Sequence, residues 1–104
     1  MKLGEESLKF LKDLAEESKY IGEARGKGLM LAIELVKDKD SKEPNPNVAS
    51  KIQKEAFKKG IIVWKAGHYA NVIRLLPPLV ITRELMFKGL EILRDVIKDV
   101  ERSY

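Results

Sequence analysis

Arg74 stands alone in an apolar run, Val72-Ile73-Arg74-Leu75-Leu76-Pro77-Pro78. Removing a guanidinium from water is costly unless an anion pairs with it. The planar fork of Arg matches a carboxylate through two parallel hydrogen bonds, which the point charge of Lys does not. Two readings satisfy these facts. Arg74 receives an anion at a strand end, or it points outward from an edge strand or pairs with Glu34 across a sheet. The other candidates offer less. His68 is the only His and is a general base only by default, because no partner of a triad is visible; a solvated loop His is the simpler reading. Gly26-Lys27-Gly28 lacks the third Gly of a dinucleotide loop and precedes a strand, so it reads as the turn leading into that strand. Glu91 and Asp95 sit one helical turn apart, as on a solvated face, and Trp64 closes an apolar run and reads as core. No residue set forms a self-contained catalytic or metal site.

Composition narrows the classes further. The chain has 104 residues, 44% of them hydrophobic, enough for one modest core, and we expect one domain over residues 1–104. The absence of Cys excludes thiolate catalysis and Cys-ligated metal, and a single His excludes a site of several imidazoles. The net charge is +4, but basic residues are scattered among acids, as Glu5 and Lys9 are, and only Lys58-Lys59 are adjacent. That pattern is a solvated surface, so no nucleic-acid partner is expected. With 15 Lys and 11 Glu against one Gln and three Asn, usage resembles that of heat-adapted proteins. No signal core or membrane-length apolar run is present, and a cytoplasmic protein is expected.

The elements that would position Arg74 follow from periodicity. Leu3, Phe10, Leu11, Leu14 and Ala15 predict an amphipathic helix over residues 3–18. Leu29 to Val36 alternates as a strand, with Leu29, Leu31, Ile33 and Leu35 facing the core and Met30, Ala32, Glu34 and Val36 forming a semi-apolar face for a partner. After a loop closed by Pro44-Asn45-Pro46, Asn47 is placed as the cap of a helix buried through Val48, Ala49, Ile52, Ala56 and Phe57, with Gly60 as its left-handed stop. Ile61 to Trp64 and Val72 to Leu76 are the second and third strands. Thr82 caps a last helix with the stripe Met86, Gly89/Leu90, Leu93, Val96/Ile97 and Val100. The fold class expected is α/β of the α+β type: a small, mostly antiparallel three-stranded sheet with helices on one face, in the order α-β-α-β-β-α.

Two long stretches carry a resemblance. Ile21-Gly22-Glu23-Ala24-Arg25-Gly26-Lys27-Gly28-Leu29-Met30 and Asn71-Val72-Ile73-Arg74-Leu75-Leu76-Pro77-Pro78-Leu79-Val80-Ile81-Thr82 resemble motifs of class-III pyridoxal-phosphate-dependent aminotransferases. The match extends through Ala56-Phe57-Lys58-Lys59-Gly60-Ile61-Ile62 and Gly89-Leu90-Glu91-Ile92-Leu93, over nearly the whole chain. The 4-aminobutyrate type is nearest in flavour, beside the ornithine and acetylornithine types. The resemblance implies a C-terminal small domain of a fold-type I enzyme, in which Arg74 binds the substrate carboxylate and Arg25, Gly26 and Gly28 shape a turn. It also implies that the Schiff-base Lys, the Asp at the pyridine nitrogen and the phosphate loop belong to a large domain with no counterpart here. The chain alone is thus expected to bind no cofactor and to be inactive; pyridoxal phosphate would come with a completing large-domain chain. Its expected partners are that chain or a second copy, and the carboxylate of an amino or keto acid once assembled. The alternative is a free-standing interaction or carboxylate-binding module on the same scaffold.

Overall fold

A computed structural model of the protein describes residues 2–28, 30–67, 69, 71–75 and 81–103. The elements are α1 (Lys2–Glu17), β1 (Ile21–Lys27), β2 (Met30–Leu35), α2 (Pro46–Lys58), β3 (Trp64–Ala66), β4 (Val72–Leu75) and α3 (Arg83–Ser103). The strands form one antiparallel sheet in the order β1-β2-β4-β3, and the helices pack on one of its faces. The fold is α+β.

Alternation in β2 sets the core. Leu31, Ile33 and Leu35 are at most 1% exposed and face the helices, joined from β4 by Ile73, which lies opposite Ile33. The helices answer with Leu11 and Leu14, with Val48, Ala49, Ile52 and Ala56, and with Met86, Leu90, Leu93, Val96, Ile97 and Val100 of α3. Thr82 caps α3, its hydroxyl accepting from the Leu85 N–H at 3.2 Å.

Several expectations are corrected. The sheet has four strands, not three, and the order becomes α-β-β-α-β-β-α. The added strand, β1, contains two Gly and three charged residues and buries only Ile21 and Ala24. Its conformation comes from the ladder to β2, with a bulge between Ile21 and Glu23, and not from a periodicity of its own. The strand expected at Ile61 to Trp64 begins only at Trp64. Gly60, at φ +88°, turns the chain back, so that Ile61 N–H donates to Ala56 O at 2.9 Å. The Gln53 side chain donates to Val63 O at 3.1 Å. Both backbone groups are satisfied by α2 instead of by a ladder. Ile62 and Trp64 therefore project into solvent, Trp64 at 57% exposure, and Phe57 does so from α2. The cap of α2 is Asn45 and not Asn47: Asn45 Oδ1 accepts from Val48 N–H at 3.2 Å, and Pro46 takes the first helical position, where a missing N–H costs nothing. Val36, assigned to the open face of β2, lies beyond the strand and is fully buried. His68, Leu29 and the run from Leu76 to Val80 lie outside the described residues.

Glu55 on α2 sits 3.1 Å from Lys58 Nζ and 3.6 Å from Lys51 Nζ. The Lys58 ammonium beside it, aided by that of Lys51 and opposed by desolvation, holds its carboxyl below the usual range. A lowered folded pKa stabilises the fold above the unfolded pKa, and that support is lost as pH falls through the folded value.

Two contacts fix α1 on the sheet. A Cβ on Gly4 would fall on the Gly28 carbonyl, 2.6 Å from its carbon. Backbone meets backbone here, so Gly4→Ala should destabilise by about 1–3 kcal/mol despite the better helix propensity of Ala; a urea melt measures this. At the other end of α1, buried Ser18 donates to Glu101 Oε2 at 2.6 Å and accepts from the N–H groups of Tyr20 and Ile21, each at 3.2 Å. Ser18→Ala leaves the Ile21 N–H without this acceptor and should cost about 1–3 kcal/mol. In native-state hydrogen exchange, Ile21 should lose protection before the middle of β2 does.

Candidate functional site

The candidate site lies on the face of the sheet away from the helices. Leu75 and Ile73 turn inward, so alternation sends Arg74 outward, where it is exposed. The strand register sets four residues in a row across the sheet: Arg25 on β1, Ala32 on β2, Arg74 on β4 and Trp64 on β3. Arg25 and Arg74 flank Ala32, and a hollow of about 410 Å3 opens between them, bounded also by Gly26, Lys27 and Met30. A Cβ at Gly26 would press on Leu31 Cδ2 at 2.6 Å and Met30 O at 3.0 Å, so the hairpin at this rim closes tightly only with Gly there.

The two arginines are not equivalent. Arg25 Nη1 lies 3.4 Å from Glu34 Oε2 and 3.6 Å from Glu23 Oε2. Among the described residues Arg74 forms no ion pair. Two expectations about Arg74 are thereby corrected. It does not pair with Glu34, which Arg25 holds, and β4 is an inner strand between β2 and β3, not an edge. The outward reading stands, and with it an unneutralised guanidinium on an open face.

Upstream of Arg74, a buried amide fixes where β4 begins. Asn71 Nδ2 donates to Leu35 O at 3.0 Å, while Leu35 N–H donates to Asn71 O at 2.7 Å. Leu35 O also accepts from the N–H of Asn45 at 3.0 Å. Reasoning from sequence did not single out Asn71 or Arg25 beside Arg74. The signal for Asn71 was a polar residue at the margin of an apolar strand; for Arg25 it was the distribution of Glu23 and Glu34, legible only once β1 and β2 are paired.

The residues present do not fit pyridoxal phosphate. That cofactor requires a Lys amine made nucleophilic by burial or a cationic neighbour, and none of the 15 Lys residues is buried. Among the described residues no helix is long and apolar enough to cross a membrane.

The alanine/serine racemase of Pyrococcus horikoshii is 42% identical over 99 residues, which are 95% of this chain and 20% of that protein. The 4-aminobutyrate aminotransferase of Mycobacterium leprae is 42% identical over 86 residues, covering 83% of this chain and 19% of that one. A solved aminotransferase from Bacillus anthracis superposes with a TM-score of 0.87 at 32% identity, over 94% of this chain and 23% of its own. The chain thus spans about one-fifth of the length of these relatives. The profile of the class-III aminotransferases matches residues 1–97. With that match spanning both the Arg25 and the Arg74 segments, the chain belongs to the class-III aminotransferase family.

Proposed function

We propose that this chain is the substrate-carboxylate-binding portion, a single domain, of an aminotransferase of the 4-aminobutyrate, ornithine or acetylornithine type. The observation that carries the reading is Arg74, a guanidinium with no counter-ion among the described residues, set on the outward face of an inner strand. Its fork receives the carboxylate of an amino or 2-oxo acid through two charge-assisted hydrogen bonds and so fixes where the rest of that molecule lies. The chain brings no activated amine, so bond making and breaking fall to a large-domain chain that holds the cofactor. Phe57, Ile62 and Trp64 are each 57–70% exposed and line one hollow, an apolar surface suited to such a partner. The alternative, a free-standing binding module, would leave that surface to a second copy.

A second reading is favoured by the similarity to the alanine/serine racemase. Racemisation also works next to an amino-acid carboxylate, so the same Arg74 serves both. The test replaces the matched segment of the Mycobacterium leprae 4-aminobutyrate aminotransferase with this chain. Transfer of an amino group to 2-oxoglutarate supports the first reading. Loss of optical activity from L-alanine without any 2-oxo acid supports the second. A folded chimaera showing neither would overturn both.

A further inference from the structure

We infer that Arg25 is a positioning residue for Arg74: it holds the Glu34 carboxylate aside and keeps the Arg74 guanidinium open to an incoming carboxylate. The inference rests on the carboxylate-binding role proposed for Arg74. Glu34 is two residues along β2 from Ala32, and Ala32 lies between Arg25 and Arg74 in the register. Glu34 is therefore on the same face as both arginines and diagonal to each, at the separation of about 7–8 Å that long side chains bridge. It can neutralise either one. In the structure its Oε2 faces Arg25 Nη1 at 3.4 Å, and Arg74 is left without an ion pair among the described residues.

Arg25 does this against an opposing tendency. Glu23 lies directly opposite Glu34 in the register, and like charges placed so repel. Arg25 reaches both, at 3.6 Å and 3.4 Å. Without Arg25, repulsion from Glu23 turns Glu34 across β2 toward Arg74, with Lys42, which lines the same hollow as Glu34, as the competing cation. Glu34 then occupies Arg74 as an internal carboxylate and competes with the substrate. The pair is only part-buried, 46% exposed at Arg25 and 31% at Glu34, so the competition shifts a population without altering the fold.

Phenylglyoxal, which adds to unpaired guanidinium groups, reads the prediction on the 104-residue chain, with modification at each Arg followed by mass spectrometry. In the parent chain Arg74 should react faster than Arg25. In Arg25→Met its modification should slow about threefold, the scale of an exposed ion pair. In Arg25→Met/Glu34→Gln the parent rate should return, a rescue that a merely structural role of Arg25 would not give. In Glu34→Gln alone Arg25 should react faster while Arg74 is unchanged; this variant keeps the test alive if Arg25→Met does not fold. An Arg74 rate unaffected by Arg25→Met, or raised by Glu34→Gln alone, overturns the inference. Protection of Arg74 by 2-oxoglutarate is scored separately: its absence counts against the carboxylate-binding role and leaves the labelling result to decide the part played by Arg25.

Discussion

Arg74→Ala is expected to raise KM for the 2-oxo acid about 30- to 1,000-fold in the chimaeric enzyme, equivalent to about 2–4 kcal/mol. The estimate follows from two charge-assisted hydrogen bonds made to a ligand that meets no other unpaired cation on β4. The effect belongs in KM more than in kcat, because a carboxylate far from the reacting atom is held equally in the ground state and the transition state. Arg74→Lys keeps the charge and loses the fork, so it should restore only part of the affinity. The control is an amine substrate lacking a carboxylate, whose KM should hardly move. A uniform loss with both substrates would mean that Arg74 supports the sheet and does not grip the ligand. Stability should change little in either variant, since the side chain is exposed and without an ion pair among the described residues.

How much of this was legible in the sequence depends on where each element gets its order. The stripe of α3 and the inward residues of β2 carry their own periodicity, and both fold as that periodicity requires. β1 carries none: with Gly22, Gly26 and three charges it reads as a breaker, and only the presence of β2 makes it a strand. The same holds at Ile61 to Trp64, where apolar content suggested burial. Hydrogen bonds from Ile61 N–H to α2 and from Gln53 to Val63 O decide the path, leaving Ile62 and Trp64 outside the core. The site divides in the same way. Arg74 stood out because it broke an apolar run, a one-dimensional signal. The part played by Arg25 is a matter of register between strands, and register is set by a hairpin whose first strand the sequence did not announce. The apolar side chains left bare on the folded unit, Phe57, Ile62 and Trp64, read in the sequence as core because core and partner surface use the same side chains.

Asn71→Asp should be the most damaging single change near the site, at about 3–5 kcal/mol near neutral pH, the scale of an uncompensated buried charge. The amide and the carboxylate have nearly the same shape, so packing is conserved and the effect isolates hydrogen-bond polarity. Asn71 is 5% exposed, and its Nδ2 donates to Leu35 O at 3.0 Å. An ionised carboxylate has no donor to offer and faces that carbonyl oxygen with a like partial charge. Burial and this contact both raise the folded pKa of the introduced acid above its unfolded value of about 3.9. The sign of the pH dependence follows: the unfolded chain releases the proton first, so the penalty grows as pH rises from that unfolded value and is complete above the raised folded one. Urea midpoints measured from pH 3.5 to 8 should converge with those of the parent chain at the acid end and diverge above it. Asn71→Leu, which removes the donor without adding charge, should cost less and show no such slope, because Leu35 O keeps the Asn45 N–H as a donor. Equal, pH-independent losses in the two variants would show that shape, and not the donated hydrogen bond, ties the start of β4 to the end of β2. The separation matters for Arg74, three residues further on, because that junction sets the row on which Arg25, Ala32 and Arg74 face one another.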